Sequence, residues 1–150
     1  MTTSDASRLR RALLALVLLG ACGLGAELFL LEHTESVWQW LPLGALAAAL
    51  AAGGAAALRP GRATVRFFQA AMVLCVAVGV LGLYLHFDGN AAFERESDPV
   101  LGGWALLWRS LHGATPALAP GALVQLGLLG LVWAHRHPAL GRESNTGEER

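Results

Sequence analysis

The segment from Tyr84 to His112 reads YLHFDGNAAFERESDPVLGGWALLWRSLH, and it is the only long stretch of the chain outside the apolar runs. It separates the third apolar run from the fourth and carries most of the side chains with versatile chemistry. We therefore expect helices that cross a lipid bilayer and present this segment, a loop containing one short helix, at one face of the membrane.

The composition of the 150 residues is typical of a membrane protein. Hydrophobic residues make up 55% of the chain and charged residues 15%, whereas soluble domains carry about 25% charged residues. The formal net charge is zero, so no overall field attracts nucleic acid. No motif in the sequence resembles a nucleophile with its base or a phosphate-binding loop. The sequence therefore predicts a non-enzymatic membrane protein with no nucleic-acid partner.

Four apolar runs predict four membrane spans, at about residues 12–31, 37–58, 64–86 and 117–134. Twenty residues at a rise of 1.5 Å cover about 30 Å, which is the thickness of the hydrocarbon core. We expect an all-α, integral membrane four-helix bundle that forms a single domain over residues 1–140. The polar tail, residues 141–150, is predicted to be disordered.

The distribution of arginine predicts the orientation of the four spans. In a four-span arrangement only Arg95 and Arg109 lie on one side, and the other nine arginines lie on the opposite side: Arg8, Arg10, Arg11, Arg59, Arg62, Arg66, Arg136, Arg142 and Arg150. Basic residues are retained on the cytoplasmic side. We therefore expect both termini in the cytoplasm and the protein in the cytoplasmic (inner) membrane of a bacterium.

A short amphipathic helix is predicted between spans 3 and 4, at about residues 99–112. Asp98 is placed to cap it, with Pro99 at its first position. Its apolar residues recur at intervals of three and four and include Trp104 and Trp108. We expect it to lie in the outer interface with these tryptophans as anchors. A re-entrant half-helix is the alternative.

Small residues recur at helical spacing in the second and third spans, at Ala45, Ala49, Gly53 and Ala57, and at Ala71, Cys75 and Gly79. Such stripes let neighbouring helices approach closely in lipid. They favour a packing or accessory subunit, self-associated or docked on other membrane protein subunits, as the function.

One spacing predicts a metal site on the outward face. Cys22, His33 and Glu35 are matched by Cys75, His86 and Asp88 at a constant offset of 53 residues, which is consistent with a duplicated helical hairpin. If the two helix ends are neighbours, the candidate metal ligands converge: His33, Glu35, His86 and Asp88. The alternative is that acidic residues lie outside because basic residues are retained inside.

Glu27 is the only ionisable residue in the interior of a predicted span, and such residues are functional candidates by default. It lies roughly 10 Å from the middle of the span toward the outer surface. We favour a structural, hydrogen-bonded glutamate, with His86, Gln125 or a loop arginine as its partner, over an ion- or proton-coupling role. The alternative function is a transporter or sensor with an outward-facing cation or proton site at the ends of spans 1 and 3.

Cys22 allows a second interpretation of the N-terminal segment. The arginines followed by Leu19-Gly20-Ala21-Cys22 resemble a bacterial lipoprotein signal, with Cys22 as the lipidated residue. The apolar run continues past Cys22 to Leu31, however, which favours a membrane span. No cofactor is predicted, because the five histidines lie at span ends or between spans, where they do not suit a haem site.

The second half of the chain resembles a known pattern. The run from His86 to Glu96 (HFDGNAAFERE), then Gly102-Gly103-Trp104, then Leu118-Ala119-Pro120-Gly121, is similar to a pattern in small, uncharacterised bacterial membrane proteins with four spans. The resemblance implies the same architecture. It implies no activity and assigns no role to any residue.

Overall fold

A computed structural model describes residues 3–113, 115–116 and 118–141 of the chain. Within these residues the protein is all-helical, as the sequence predicts, and contains no strand. The helices are α1 (Thr3–Leu30), α2 (Val37–Leu58), α3 (Arg62–Ser97), α4 (Gly103–Leu111) and α5 (Gly121–Ala134), followed by a short 3₁₀ helix (Pro138–Leu140). Apart from Gly141, the predicted disordered tail lies outside the described residues.

Three of the helices, α1, α2 and α3, are long and apolar enough to cross a membrane. The fourth apolar helix, α5, has 14 residues, which cover only about 21 Å. It begins at Gly121, later than the start near residue 117 that the sequence suggests. The preceding residues, 118–120, form turns, in which the amide of Ala119 donates to the carbonyl oxygen of Pro116 and that of Gly121 to Leu118.

The helices pack in a closed order. The first helix contacts α2 and α5, and α3 contacts α2 and α5 from the other side. The core between them combines small residues such as Ala49 with larger side chains such as Phe68 and Met72. Phe68 meets Trp133 edge to face, with 4.9 Å between ring centroids. Many large apolar side chains point outward instead, among them Leu19, Leu30 and Leu58.

The predicted small-residue stripes pack against other helices of the same chain. On α2, the residues Ala45, Ala49 and Gly53 are buried, but Ala57 is exposed and Ala56 is buried in its place. The prediction of Ala57 was wrong because a strict four-residue spacing drifts around a helix with 3.6 residues per turn. The stripe of α3 (Ala71, Cys75 and Gly79) is buried throughout. The thiol of Cys75 lies 3.6 Å from the carbonyl oxygen of Ala45, where α2 and α3 meet.

Glycines bring α3 and α5 together closely. A methyl group added to Gly79 would lie 2.9 Å from the backbone nitrogen of Val124. A methyl group added to Gly127 would lie 2.6 Å from the carbonyl oxygen of Met72. Real side chains do not approach backbone atoms this closely, so both positions require glycine. The sequence pattern did not identify Gly127, because its neighbours on α5 are apolar on every face.

Arg10 joins the beginning of α1 to the end of α5. Its Nη1 donates to the carbonyl oxygens of Trp133 (2.7 Å) and His135 (3.2 Å). Its Nη2 donates to the carbonyl oxygen of Arg136 at 3.1 Å. The guanidinium thus satisfies carbonyls that the end of a helix leaves without partners, where a positive charge is also favourable. The start of α1 and the end of α5 therefore lie at the same end of the molecule.

The segment expected to be a loop is largely a continuation of α3, which does not end until Ser97. Its 36 residues correspond to about 54 Å. Asp98 is the C-cap of α3 rather than the N-cap of the next helix, and its amide donates to the carbonyl oxygen of Glu94. The prediction was wrong because Pro99 disfavours helical geometry in the residue before it, and here it ends one helix instead of starting another.

The short fourth helix folds back along the end of α3. It spans Gly103–Leu111, less than the predicted 99–112, and begins after the extended residue Gly102. Arg109 lies 3.7 Å from a carboxylate oxygen of Glu94 and 3.8 Å from one of Asp98. Leu106 and Ser110 face the protein, whereas the predicted anchors Trp104 and Trp108 are exposed.

Candidate functional site

A cavity of about 510 Å³ lies between α1, α2, α3 and the segment 115–123, at the end of the helices opposite to Arg10. We call it the histidine-end cavity. It is lined by Leu24, Glu27, Leu28, Leu31, His33, Trp38, Gln39, Leu41, Pro42, Leu46, Val78, Leu81, Gly82, Leu85, His86, Gly89, Thr115, Pro116, Ala119, Pro120 and Leu123.

The local sequence explains why the space is open. Leu24 and Leu28 on α1 and Leu31 directly after it recur at intervals of four and three, so they lie on one side of the chain. Gly82 and Gly89 stand on the facing side of α3 and fill no volume. Residues 115–116 and 118–120 are not helical, because Pro116 and Pro120 interrupt regular hydrogen bonding. The walls of the cavity are therefore apolar and its outer part is bounded by turns.

The position of His33 is set by the way α1 ends. The amide of Glu32 donates to the carbonyl oxygen of Phe29, and the amide of His33 donates to that of Leu28. Glu32 has φ of 51°. This is the Schellman geometry, in which a residue in the left-handed region reverses the chain direction. The reversal carries His33 back over the end of the helix and into the cavity wall.

His33 and His86 meet in the wall of the cavity, as the sequence predicts for neighbouring helix ends. Their ring centroids are 6.4 Å apart. Burial lowers the pKa of His33, and the neighbouring His86 lowers it further. At neutral pH the His33 side chain is therefore expected to be uncharged.

The orientation of His86 follows from its hydrogen bond. Its Nδ1 lies 3.1 Å from the carbonyl oxygen of Pro116. Since a carbonyl oxygen only accepts, Nδ1 must carry the proton. In the neutral ring Nε2 is then a hydrogen-bond acceptor. His86 thus holds the Pro116 segment in place with one nitrogen and keeps the other as an acceptor.

Glu27 lines the same cavity. Within the described part of the chain no ion pair or hydrogen bond involves its carboxylate. The expected bond to His86, Gln125 or a loop arginine is not present: His86 bonds to Pro116, and Gln125 lines a separate groove beside α5. The structural interpretation of Glu27 is therefore not supported by a partner, and its carboxylate is left as an unpaired acceptor in the wall.

The other two predicted metal ligands, Glu35 and Asp88, are exposed and do not line the cavity. In the residues that the structure describes, no group of three histidine, cysteine, aspartate or glutamate side chains is close enough to hold a metal ion. The matched cysteines also differ, because Cys22 is exposed and Cys75 is buried. The helix containing His86 continues past it, whereas α1 ends before His33. The two halves are therefore not packed as equivalent units.

Sequence reasoning missed Asn90, which organises the wall beside His86. Its Nδ2 donates to the carbonyl oxygens of Ser110 (2.9 Å) and Thr115 (2.7 Å). Its Oδ1 accepts from the amide of Thr115 at 3.3 Å. Asn90 is buried, and a methyl group on Gly113 would overlap its carboxamide. The only signal in the sequence was an asparagine, a poor helix former, within a stretch of helix-forming residues.

Comparison of the chain with protein-family models, curated proteins and solved structures finds no match of any kind. The functional assignment must therefore come from the geometry of the histidine-end cavity and from the packing of the helices around it.

Proposed function

We propose that the protein is an integral membrane four-helix bundle of the bacterial inner membrane, with α5 as its fourth crossing and both termini cytoplasmic. The Arg10 contacts support this topology, because they join the start of α1 to the end of α5. An even number of crossings brings the two termini to one side. The turns on both sides of α5 supply the length that its 14 residues lack. The arginine distribution assigns that side to the cytoplasm.

In this orientation the histidine-end cavity faces outward, and we propose that the protein binds a small molecule there without catalysing a reaction. The observation that carries the proposal is the cavity itself, with Glu27, His33 and His86 in a mostly apolar wall. Its volume of about 510 Å³ falls within the range of small-molecule sites, about 300–1,000 Å³. A few polar groups in an apolar pocket are the usual arrangement for orienting a ligand.

The hypothesis of an accessory subunit has less support. It depends on the small-residue stripe of α2, and that stripe packs against other helices of the same chain. A methyl group on Gly53 would lie 2.7 Å from Leu18 on α1 and 3.2 Å from Phe68 on α3. Leucine at Ala49 or Gly53 would therefore disturb the packing of the monomer, whether or not a partner binds. Binding in the cavity, as in a transporter component or sensor, is the function that we prefer.

Two adjacent positions on α3 test whether the cavity is open to the outside. Leu81 lines the cavity, and Val80 is exposed on the outer surface of α3. In a Cys22→Ser background, we expect Leu81→Cys to react with a membrane-impermeant methanethiosulfonate added to whole cells. Val80→Cys should react at least about tenfold more slowly, because lipid prevents the thiolate from forming.

A second pair, Leu85→Cys in the cavity and Tyr84→Cys outside it, repeats the comparison if Leu81→Cys does not fold. The Cys22→Ser parent serves as the blank, since its remaining thiol, Cys75, is buried. Failure of both cavity cysteines to react in folded protein would mean that the cavity is closed to the outside, and the proposed binding function would be wrong.

A further inference from the structure

We infer that the histidine-end cavity selects an amphipathic organic cation, meaning a protonated amine attached to an apolar body. This inference names the ligand class of the proposed function and rests on it. It combines three properties of the cavity: an unpaired carboxylate, two imidazole rings in the same wall, and a lining that is otherwise mostly apolar.

The first step concerns charge. Among the described residues that line the cavity, Glu27 is the only one with a carboxylate and none is an arginine. The arginine of α4, Arg109, lies beside Glu94 and Asp98 on the extension of α3. The Glu27 side chain is exposed at the cavity wall and has no ion-pair partner among the described residues, so its carboxylate is available to a ligand. A cationic ligand would supply a counter-charge, whereas an anionic ligand would be repelled.

The second step concerns hydrogen bonding. Because Nδ1 of His86 donates to Pro116, its Nε2 is the nitrogen that accepts a hydrogen bond whenever the ring is neutral. His33 lies beside it and contributes a second imidazole. A protonated amine has up to three N–H donors in one compact group, which suits a carboxylate and an imidazole nitrogen together. The ring of Trp38 in the same wall offers a further surface to which a cation is attracted.

The third step concerns the rest of the ligand. Leucine and proline side chains from α1, α2, α3 and the start of α5 make up most of the wall. A bare metal ion would leave this apolar surface unfilled and would find no group of three ligating side chains among the described residues. An aryl or alkyl body of about ten carbon atoms would cover this apolar surface, and its transfer from water into the cavity would be favourable in free energy.

The test measures how well an amine protects Leu81→Cys from the anionic reagent sulfonatoethyl methanethiosulfonate, in protein reconstituted in nanodiscs. The probe is 4-phenylbutylamine, and 4-phenylbutanol is its uncharged counterpart. We expect the amine to protect and the alcohol not to protect at the same concentration. Glu27→Gln should raise the half-protecting amine concentration by about ten- to a hundredfold, the value of a charge-assisted hydrogen bond.

Glu32→Gln is the matched control, since Glu32 is a nearby carboxylate that does not line the cavity; it should leave protection unchanged. A cationic thiol reagent should also modify Leu81→Cys faster than the anionic one, and Glu27→Gln should reduce that ratio toward one. This second measurement requires no ligand and gives a result even if the chosen amine is too large.

The outcomes separate the two proposals. If Leu81→Cys reacts but the amine does not protect it and the reagents show no Glu27-dependent preference, the cavity is open and the ligand class is wrong. Equal protection by the amine and the alcohol indicates a neutral amphiphile and also overturns the inference. If Leu81→Cys does not react at all, the binding function itself fails.

Discussion

Single residues determine where the segment after α3 lies. The buried carboxamide of Asn90 bonds to Ser110 and, twice, to Thr115, and Thr115 lines the histidine-end cavity. His86, one helical turn earlier, holds Pro116. Sequence reasoning found His86, because histidine is chemically conspicuous, but it did not find Asn90. The role of an amide depends on which backbone groups surround it, and those come from residues 20 and 25 positions away.

We predict that Asn90→Ala lowers the stability of the protein and loosens the cavity wall. The substitution leaves buried carbonyl groups without a donor, which costs about 1–3 kcal/mol. The measurement is the thermal unfolding of the purified protein in detergent, together with the reactivity of Leu81→Cys in the same background. Asp88→Ala, an exposed neighbour on the same helix, should change neither. Equal stability of the Asn90→Ala variant and the wild type would show that the hydrogen bonds of Asn90 to Ser110 and Thr115 contribute little.

Among whole elements, α3 differs most from expectation. Its apolar part and its stripe of Ala71, Cys75 and Gly79 follow from the sequence pattern. The end of α3 does not follow from the sequence pattern. The apolar run stops near His86 because the surroundings become polar there, but the helix itself continues. The residues from Ala91 to Ser97 are compatible with a helix, so α3 continues until Pro99 prevents it. The fold-back of α4 then depends on side chains such as Asn90 and Arg109.

The packing of α5 against α3 gives a prediction at this scale. In Gly127→Ala the new methyl group would lie 2.6 Å from the carbonyl oxygen of Met72 and 3.0 Å from the amide nitrogen of Val76. Backbone atoms of α3 cannot yield as a side chain can, so α5 must move. We expect a loss of about 1–3 kcal/mol, the usual cost of overpacking. The free energy of unfolding, measured in mixed detergent micelles, is the readout.

Gly54→Ala on α2 provides the control for that experiment. A methyl group there meets no atom within 4 Å, and alanine is the better helix former by about 0.5–1 kcal/mol. We expect Gly54→Ala to be neutral or slightly stabilising. If Gly127→Ala behaved in the same way, the close approach of α3 and α5 would not be a feature of the folded protein.

For the whole molecule, the sequence predicted the class of protein and three of its long helices, because hydropathy and length depend on local composition. It did not predict the histidine-end cavity. The cavity exists because α1 ends at Leu30 while α3 continues beyond His86, and because residues 115–116 and 118–120 are not helical. Each of these features is decided by tertiary contacts. The sequence placed His33 and His86 at the same end of parallel spans, but whether these helix ends are neighbours, as the 6.4 Å between the rings shows, could not be predicted from it.

The topology depends on whether α5 crosses the membrane, and two glycines that tolerate a side chain can decide it. Gly102 precedes α4 and Gly141 follows the 3₁₀ helix, and an added methyl group meets nothing closer than 4.0 Å at either position. In the Cys22→Ser background, we expect an impermeant maleimide to label Gly102→Cys on intact cells. Gly141→Cys should be labelled only after the membrane is permeabilised, because Arg10 ties the end of α5 to the start of α1, which we propose to be cytoplasmic. If both cysteines were labelled on intact cells, the segments before α4 and after α5 would lie on one side. The chain would then cross the membrane three times, and the shared location of its termini would have to be abandoned.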